Sequence, residues 1–250
     1  MREPLKRATG TCLSLAPQAR FERCLFLVGH MRCGSTALAN VLCAHPRISG
    51  YGETHVRYDR PSAPGALILN QLHRGRWKPC ATHLFDKLLH DDLDAAVPPA
   101  FFTARAIFVT RPPDAAIPSI LRLFGTLGSH EYATPAEAAA YYVRRLARMR
   151  ALWQSFPADR RIALRYEHLV ADPATTLERL SRFLRFTPAL ANAYAPGKAI
   201  PPGAGDPLEA HRLTTIAPTG RSPTPMPDAA IAPAFEAWRA FVATTGDRVT

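Results

Sequence analysis

Eight consecutive residues, Gly29-His30-Met31-Arg32-Cys33-Gly34-Ser35-Thr36, place two glycines, an arginine and two hydroxyls directly after the apolar run Cys24 to Val28. A strand that turns into a helix aims free backbone N–H groups and the positive helix end at one spot, which makes an anion site. Gly34 lets the backbone come close to the anion, and Ser35 and Thr36 add hydroxyl donors. The nucleotide-hydrolysing loop reads G-x-x-x-x-G-K-[ST]; here Ser35 stands where that lysine belongs, and Arg32 sits three residues earlier. Charge compensation for a γ-phosphate is therefore missing. The third apolar strand also ends in Arg165-Tyr166-Glu167, not in an apolar run closed by aspartate. Both features argue against ATP or GTP hydrolysis. A second cation at a strand end is Arg111, after Ile107 to Val109, with Ser119 eight residues on.

The elements that position these residues alternate. Cys24 to Val28 is a buried strand bounded by Gly29, and Leu38, Val41 and Leu42 form one helical stripe after it. "HPRISGYGETH", 45 to 55, gives a short extended piece and a glycine-rich turn; 59 to 80, with Pro, Gly and Arg, reads as mostly loop. Residues 81 to 93 start extended and become helical. After the strand at 107 to 109, Asp114 caps a helix from near Ala115, with Pro118 early in it. Thr134, Pro135 and Glu137 form a capping box with proline at the first helical position. A third strand spans 161 to 166, Asp172 and Pro173 open the next helix, and residues 227 to 246 close the chain as a helix. Strands alternating with helices predict a parallel sheet and an α/β fold. Length predicts one domain over residues 1 to 250, with 1 to 20 a loose arm and 187 to 227 a long Pro/Gly-rich functional loop.

The net charge of +11 predicts an anionic partner, and dispersed rather than clustered arginines argue against a nucleic-acid tail. Five cysteines, an odd number without C-x-x-C or Cys/His ligand spacing, predict reduced thiols, a cytoplasmic setting and no metal site. No apolar window is long enough for a transmembrane helix, and the N-terminus does not read as a secretory signal.

Three stretches in order resemble the sulfotransferases that use 3′-phosphoadenosine 5′-phosphosulfate (PAPS). The family's 5′-phosphosulfate loop, P-[KR]-[SA]-G-[TS]-T, corresponds to Met31 to Thr36, with methionine for the usual proline and arginine for the lysine of the cytosolic small-molecule enzymes. The 3′-phosphate motif, R-x-P-x-[DE]-x-x-x-S, corresponds to "RPPDAAIPS", and "RYEHLVADPATTLERLSRFL" matches a third family stretch. Arginine in the first loop is usual in bacterial and tyrosyl-protein members. In the tyrosyl-protein enzymes a glutamate about twenty residues downstream serves as base; here "YGETHVR" puts Glu53 twenty-one residues after Arg32.

The resemblance implies a three-layer α/β/α fold with a central parallel sheet, P-loop NTPase-like, and sulfuryl transfer from PAPS to a hydroxyl on a carbohydrate, lipid, small metabolite or tyrosine, without metal. Glu53 is the candidate base, its pKa raised by partial burial, and His55 and His30 are competing bases. Arg32 is an electrostatic clamp on the bridging oxygen and a sulfuryl oxygen. The backbone of Cys33, Gly34, Ser35 and Thr36, with the Ser35 and Thr36 hydroxyls, holds the 5′-phosphate. Cys33 itself is a small filler whose thiol the helix end would acidify. Arg111 and Ser119 hold the 3′-phosphate, Tyr166 borders the adenosine or fills core, and Gly220 and Arg221 belong to a late loop over the nucleotide. Lys87 and Arg57 are acceptor-side candidates or members of a solvated face. The rival classes are a nucleotide kinase and a non-catalytic nucleotide- or polyanion-binding protein.

Overall fold

The computed structural model describes residues 13–195, 213–218 and 228–246. Gly220, Arg221 and Cys12 lie outside them. Five strands, β1 (Cys24–Gly29), β2 (Ile48–Ser49), β3 (His83–Leu88), β4 (Arg105–Thr110) and β5 (Arg161–Arg165), form one sheet in the order β2-β3-β1-β4-β5. All four pairings are parallel. Central parallel strands are covered on both faces, which is why β1 is apolar without interruption. Its Leu25 and Leu27 pack into one core layer with Ile107 and Val109; Phe26 and Val28 pack into the other with Ala106 and Phe108.

Helices α1 (Ser35–Ala44) and α7 (Pro173–Leu184) supply Leu38, Leu42, Leu177 and Leu180 to the first layer. The opposite layer holds α2 (Ala63–His73), α4 (Pro113–Thr126), α5 (Pro135–Ser155) and α8 (Asp228–Thr245), through residues such as Leu67, Ile117, Tyr142 and Phe241. Two shorter helices, α3 (Asp91–Asp94) and α6 (Tyr166–Ala171), follow β3 and β5 directly. The result is the expected three-layer arrangement. From β1 the chain runs outward to β2 and β3, then crosses to β4 and β5 on the other side. The order thus reverses beside β1, and the crevice outside the carboxyl ends of β1 and β4 is where such a sheet takes its ligand.

Several local expectations need correction. The stretch 59 to 80 is not mostly loop, since α2 occupies eleven of its residues. Pro64 and Gly65 lie in the first turn of α2, where a missing N–H costs nothing, and Leu67 and Ile68 bury behind them. Asp114 is not a cap: α4 begins at Pro113 with Pro112 in the capping position. Tyr166 opens α6 instead of ending β5. The Thr134 capping box is formed as expected, with Glu137 N donating to Thr134 Oγ1 at 3.3 Å and Thr134 N donating to Glu137 Oε2 at 3.0 Å. Residues 13–20 pack on the core through Leu13, Ala16 and buried Ala19.

Candidate active site

The turn from β1 into α1 places two residues in the left-handed region, Arg32 at φ 63° and Gly34 at φ 85°. Gly34 is required for a second reason: a Cβ there would lie 2.4 Å from Cδ2 of Tyr166, whose ring covers the turn. Cys33 is wholly buried, close against Gly29, whose added Cβ would meet its Sγ at 2.8 Å. Burial raises the thiol pKa and outweighs the Ser35 amide, so the helix end does not acidify Cys33. It fills space, and it does not line the cleft.

His30 is also wholly buried. Its Nδ1 donates to the Met31 carbonyl at 2.8 Å, which leaves Nε2 to accept the Arg111 N–H at 3.0 Å. Burial drops its pKa to about 3, so the ring is neutral and both nitrogens are occupied. This removes His30 as a base and makes it a brace between the two loops that carry Arg32 and Arg111. Helix α5 extends the bracing. Tyr142 OH donates to the Arg111 carbonyl at 2.6 Å; Tyr141 OH accepts from Met31 N and donates to Leu89 O, both at 2.8 Å. Arg145, fully buried, donates to the Gly29 and Leu88 carbonyls at 2.9 Å each and pairs with buried Asp94 at 2.9 Å. One helix face therefore satisfies the open carbonyls at the ends of β1 and β3 and the loop after β4. Sequence reasoning missed these three side chains. The available signal was an arginine at i+4 from Tyr141 on the same stripe as Leu146 and Met149.

The two arginines converge. Arg32 Nε donates to Ser119 Oγ at 2.9 Å, and Arg111 reaches the Arg32 carbonyl at 3.3 Å with its guanidinium 4.3 Å from the centre of the Tyr166 ring. Ser119, expected beside Arg111, is thus joined to Arg32. Arg111 Nε is buried and has no hydrogen-bond partner. Burial lowers the Arg111 pKa, Tyr166 opposes that, and the Arg32 charge lowers it further. An arginine stays charged in proteins, so a second cation beside a buried orphan N–H is a site that an anion stabilises.

Across the turn stands a buried ion pair: Lys87 Nζ lies 3.0 Å from Glu53 Oε1 and donates to Thr36 Oγ1 at 3.2 Å. Their side chains are 1% and 13% exposed, so Lys87 is no solvated surface residue. Burial pushes the Glu53 pKa up, but Lys87, with His90 and His55 behind it, outweighs burial and holds the carboxyl below its ordinary value. The expected upward shift is therefore reversed. The charged pair Asp86-Lys87 at the carboxyl end of an otherwise apolar strand was the sequence signal for this position. Asp86 is wholly buried, accepts from Thr54 N at 3.1 Å, Thr54 Oγ1 at 2.6 Å and Tyr58 OH at 2.8 Å, and is pushed by burial to about 6. It fixes the segment that carries Glu53. His55 is exposed on the cleft rim at φ 56°. Arg57 faces solvent, pairs with Asp92 at 3.4 Å and does not line the cleft.

A cleft of about 340 Å³ brings together Arg32, Gly34, Ser35, Thr36, Glu53, His55, Lys87, Arg111 and Tyr166. Leu213, Ile216 and Ala217 return to its edge, where Ile216 N donates to Asn192 Oδ1 at 2.7 Å. The Arg221 expectation falls outside the described residues. Among the described residues no group of three or more His, Cys, Asp or Glu is placed to hold a metal, and no helix is long and apolar enough to cross a membrane.

Sheet order, switch-point crevice and the lysine-free turn after β1 define a P-loop-like α/β protein. Residues 79–187 match the model of the sulfotransferase family. The fold is shared with the sulfotransferase domain of the Synechococcus PCC 7002 olefin synthase, at TM-score 0.63 and 21% identity, over 87% of this chain and 94% of that one. It is also shared with a sulfotransferase from Alicyclobacillus acidocaldarius, at TM-score 0.53 and 12% identity, over 89% and 94%. No curated protein matches the chain in sequence. Family match and fold together indicate a sulfotransferase enzyme, in agreement with the motifs.

Proposed function

We propose that the enzyme moves the sulfuryl group of PAPS to an acceptor hydroxyl. One observation carries the reading: Arg32 and Arg111 converge at the α1 N-terminus, and a buried Arg111 Nε there lacks a partner. Arg111 would hold the 3′-phosphate. The amides of residues 33 to 36 and the Ser35 and Thr36 hydroxyls would hold the 5′-phosphate. Tyr166, stacked under Arg111, borders the adenosine. Arg32 meets the oxygen that bridges sulfur and phosphate, where charge grows as the bond breaks.

Glu53 takes the proton of the acceptor hydroxyl. The acceptor oxygen forms the new bond to sulfur, the bond from sulfur to the bridging oxygen breaks, and that electron pair stays on the phosphate. Lys87 ties this carboxylate to the anion turn. A sulfuryl oxygen near Lys87 Nζ competes for its protons, which weakens the pair with Glu53 and lets burial lift the carboxylate toward a useful basicity. The free thiols of Cys24, Cys33, Cys43 and Cys80 support a cytoplasmic setting.

The test is transfer of labelled sulfate from PAPS to a hydroxyl acceptor in excess chelator, with Glu53→Gln as control. The reading expects transfer that survives chelation and falls sharply in the variant. Magnesium-dependent ATP turnover instead would make the protein a kinase, and full activity in Glu53→Gln would remove the assigned base.

A further inference from the structure

Past Glu53 and Lys87 the cleft wall changes character. Helix α4 carries Ser119, bonded to Arg32, then Leu123 four residues on with Phe124 alongside, and Leu127, four further, caps its C-terminal end. Leu127 is 57% exposed, one of few large apolar side chains so open among the described residues. The Phe124 ring packs edge-on to Tyr132 at 4.9 Å, Tyr132 packs on Tyr141 at 5.2 Å, and Tyr141 OH bonds the Leu89 carbonyl. Leu89 and Phe124 therefore share a wall with His90, whose neighbour in charge is Glu53. Tyr166, Leu169 and Val170 line the nucleotide end, so the α4 stripe belongs to the acceptor end.

The charge there is as telling. The molecule carries +11, yet the cations that line the cleft, Arg32, Lys87 and Arg111, all stand at the anion turn. Beyond Lys87 the ionisable lining groups among the described residues are His55, His90 and Glu131. Among the described residues an acidic tyrosyl peptide or a charged polysaccharide would meet Glu131 and no lysine or arginine beyond Lys87. A neutral sugar would have His55, His90 and Glu131 for its many hydroxyls and would set the rest against leucine and phenylalanine.

We infer, resting on the sulfotransferase reading, that the acceptor is an alcohol on an apolar alkyl or aryl skeleton, which lies against Leu89, Leu123, Phe124 and Leu127. The full chain is tested with decanol and naphthol against an uronic-acid oligosaccharide and an acidic tyrosyl peptide. Release of 3′-phosphoadenosine 5′-phosphate is the readout, and naphthol binding to the nucleotide-loaded protein is measured by calorimetry. The expected result is higher kcat/KM for both apolar alcohols. Leu127→Glu, at an exposed position, should raise their KM about ten- to a hundredfold and leave nucleotide affinity unchanged. The inference is overturned by a better rate with the oligosaccharide or peptide, by no naphthol binding, or by an unmoved KM in Leu127→Glu. Absence of nucleotide binding strikes the sulfotransferase reading beneath it; nucleotide binding with the reverse acceptor order strikes the acceptor class alone.

Discussion

Replacing Lys87 with methionine keeps the volume of the side chain and removes the charge that holds Glu53 ionised. The pair lies at 3.0 Å with both groups largely buried. At an effective dielectric of about 20 its gross attraction is roughly 5.5 kcal/mol. Leaving one partner of a buried pair alone typically costs about 3–5 kcal/mol. Protonation of Glu53 is the escape from that cost, and this fixes the pH dependence. In the wild type the Glu53 pKa is depressed in the folded state, so its contribution is present above the ordinary carboxylate value of about 4.3 and is lost as pH falls through the lower folded value. In Lys87→Met burial, the largest influence, is opposed only by His90 and His55, the folded pKa rises, and stability is lost as pH climbs through the raised value. Urea denaturation at about pH 5 and about pH 8 should therefore show the larger loss at the higher pH. The acid limb of kcat/KM should move upward, and kcat should fall by about 10²–10³. Adding Glu53→Gln to Lys87→Met should recover most of the stability. Equal losses at both pH values, with the acid limb unmoved, would refute the coupling.

Three other outcomes follow from the same geometry. Arg111 binds a group unchanged in the reaction, so Arg111→Ala should mainly raise KM for PAPS; Arg32→Ala should lower kcat by about 10²–10³, and steady-state kinetics separate the two. Gly34→Ala imposes a left-handed conformation worth about 1–2 kcal/mol and drives a Cβ to 2.4 Å from the Tyr166 ring, so thermal denaturation and nucleotide calorimetry should both register the loss. Asp86, pushed up to about 6, favours folding while protonated; wild-type stability should decline as pH rises from about 3.9 to about 6, and Asp86→Asn should flatten that slope in denaturant titrations.

Much of this site was legible in the sequence because its signals are local. The anion turn follows an apolar run bounded by glycine, and the Thr134 and Asp172 caps follow short-range rules. What escaped depends on contacts distant in the chain. His30 reads as a competing base until Arg111, 81 residues away, donates its N–H to the ring. Lys87 reads as surface until the ends of β1 and β3 lie side by side and bury it under Glu53 and Thr36. Arg145 sits in the basic run "RRLARMR", where only its i+4 spacing from Tyr141 and to Met149 sets it apart from its exposed neighbour Arg144. The α2 helix was hidden by Pro64 and Gly65, which break helices in their interior and are harmless in the first turn.

The central claim is that Arg111, with its orphan N–H, and Arg32 were built around a nucleotide bearing a 3′-phosphate. Calorimetric titration with 3′-phosphoadenosine 5′-phosphate and with 5′-AMP compares the two ligands directly. A lost charge-assisted hydrogen bond is worth roughly 1.5–3 kcal/mol, so the 3′-phosphorylated nucleotide should bind about ten- to a hundredfold more tightly, and Arg111→Ala should erase the difference. Equal affinities in the wild-type protein would contradict the account.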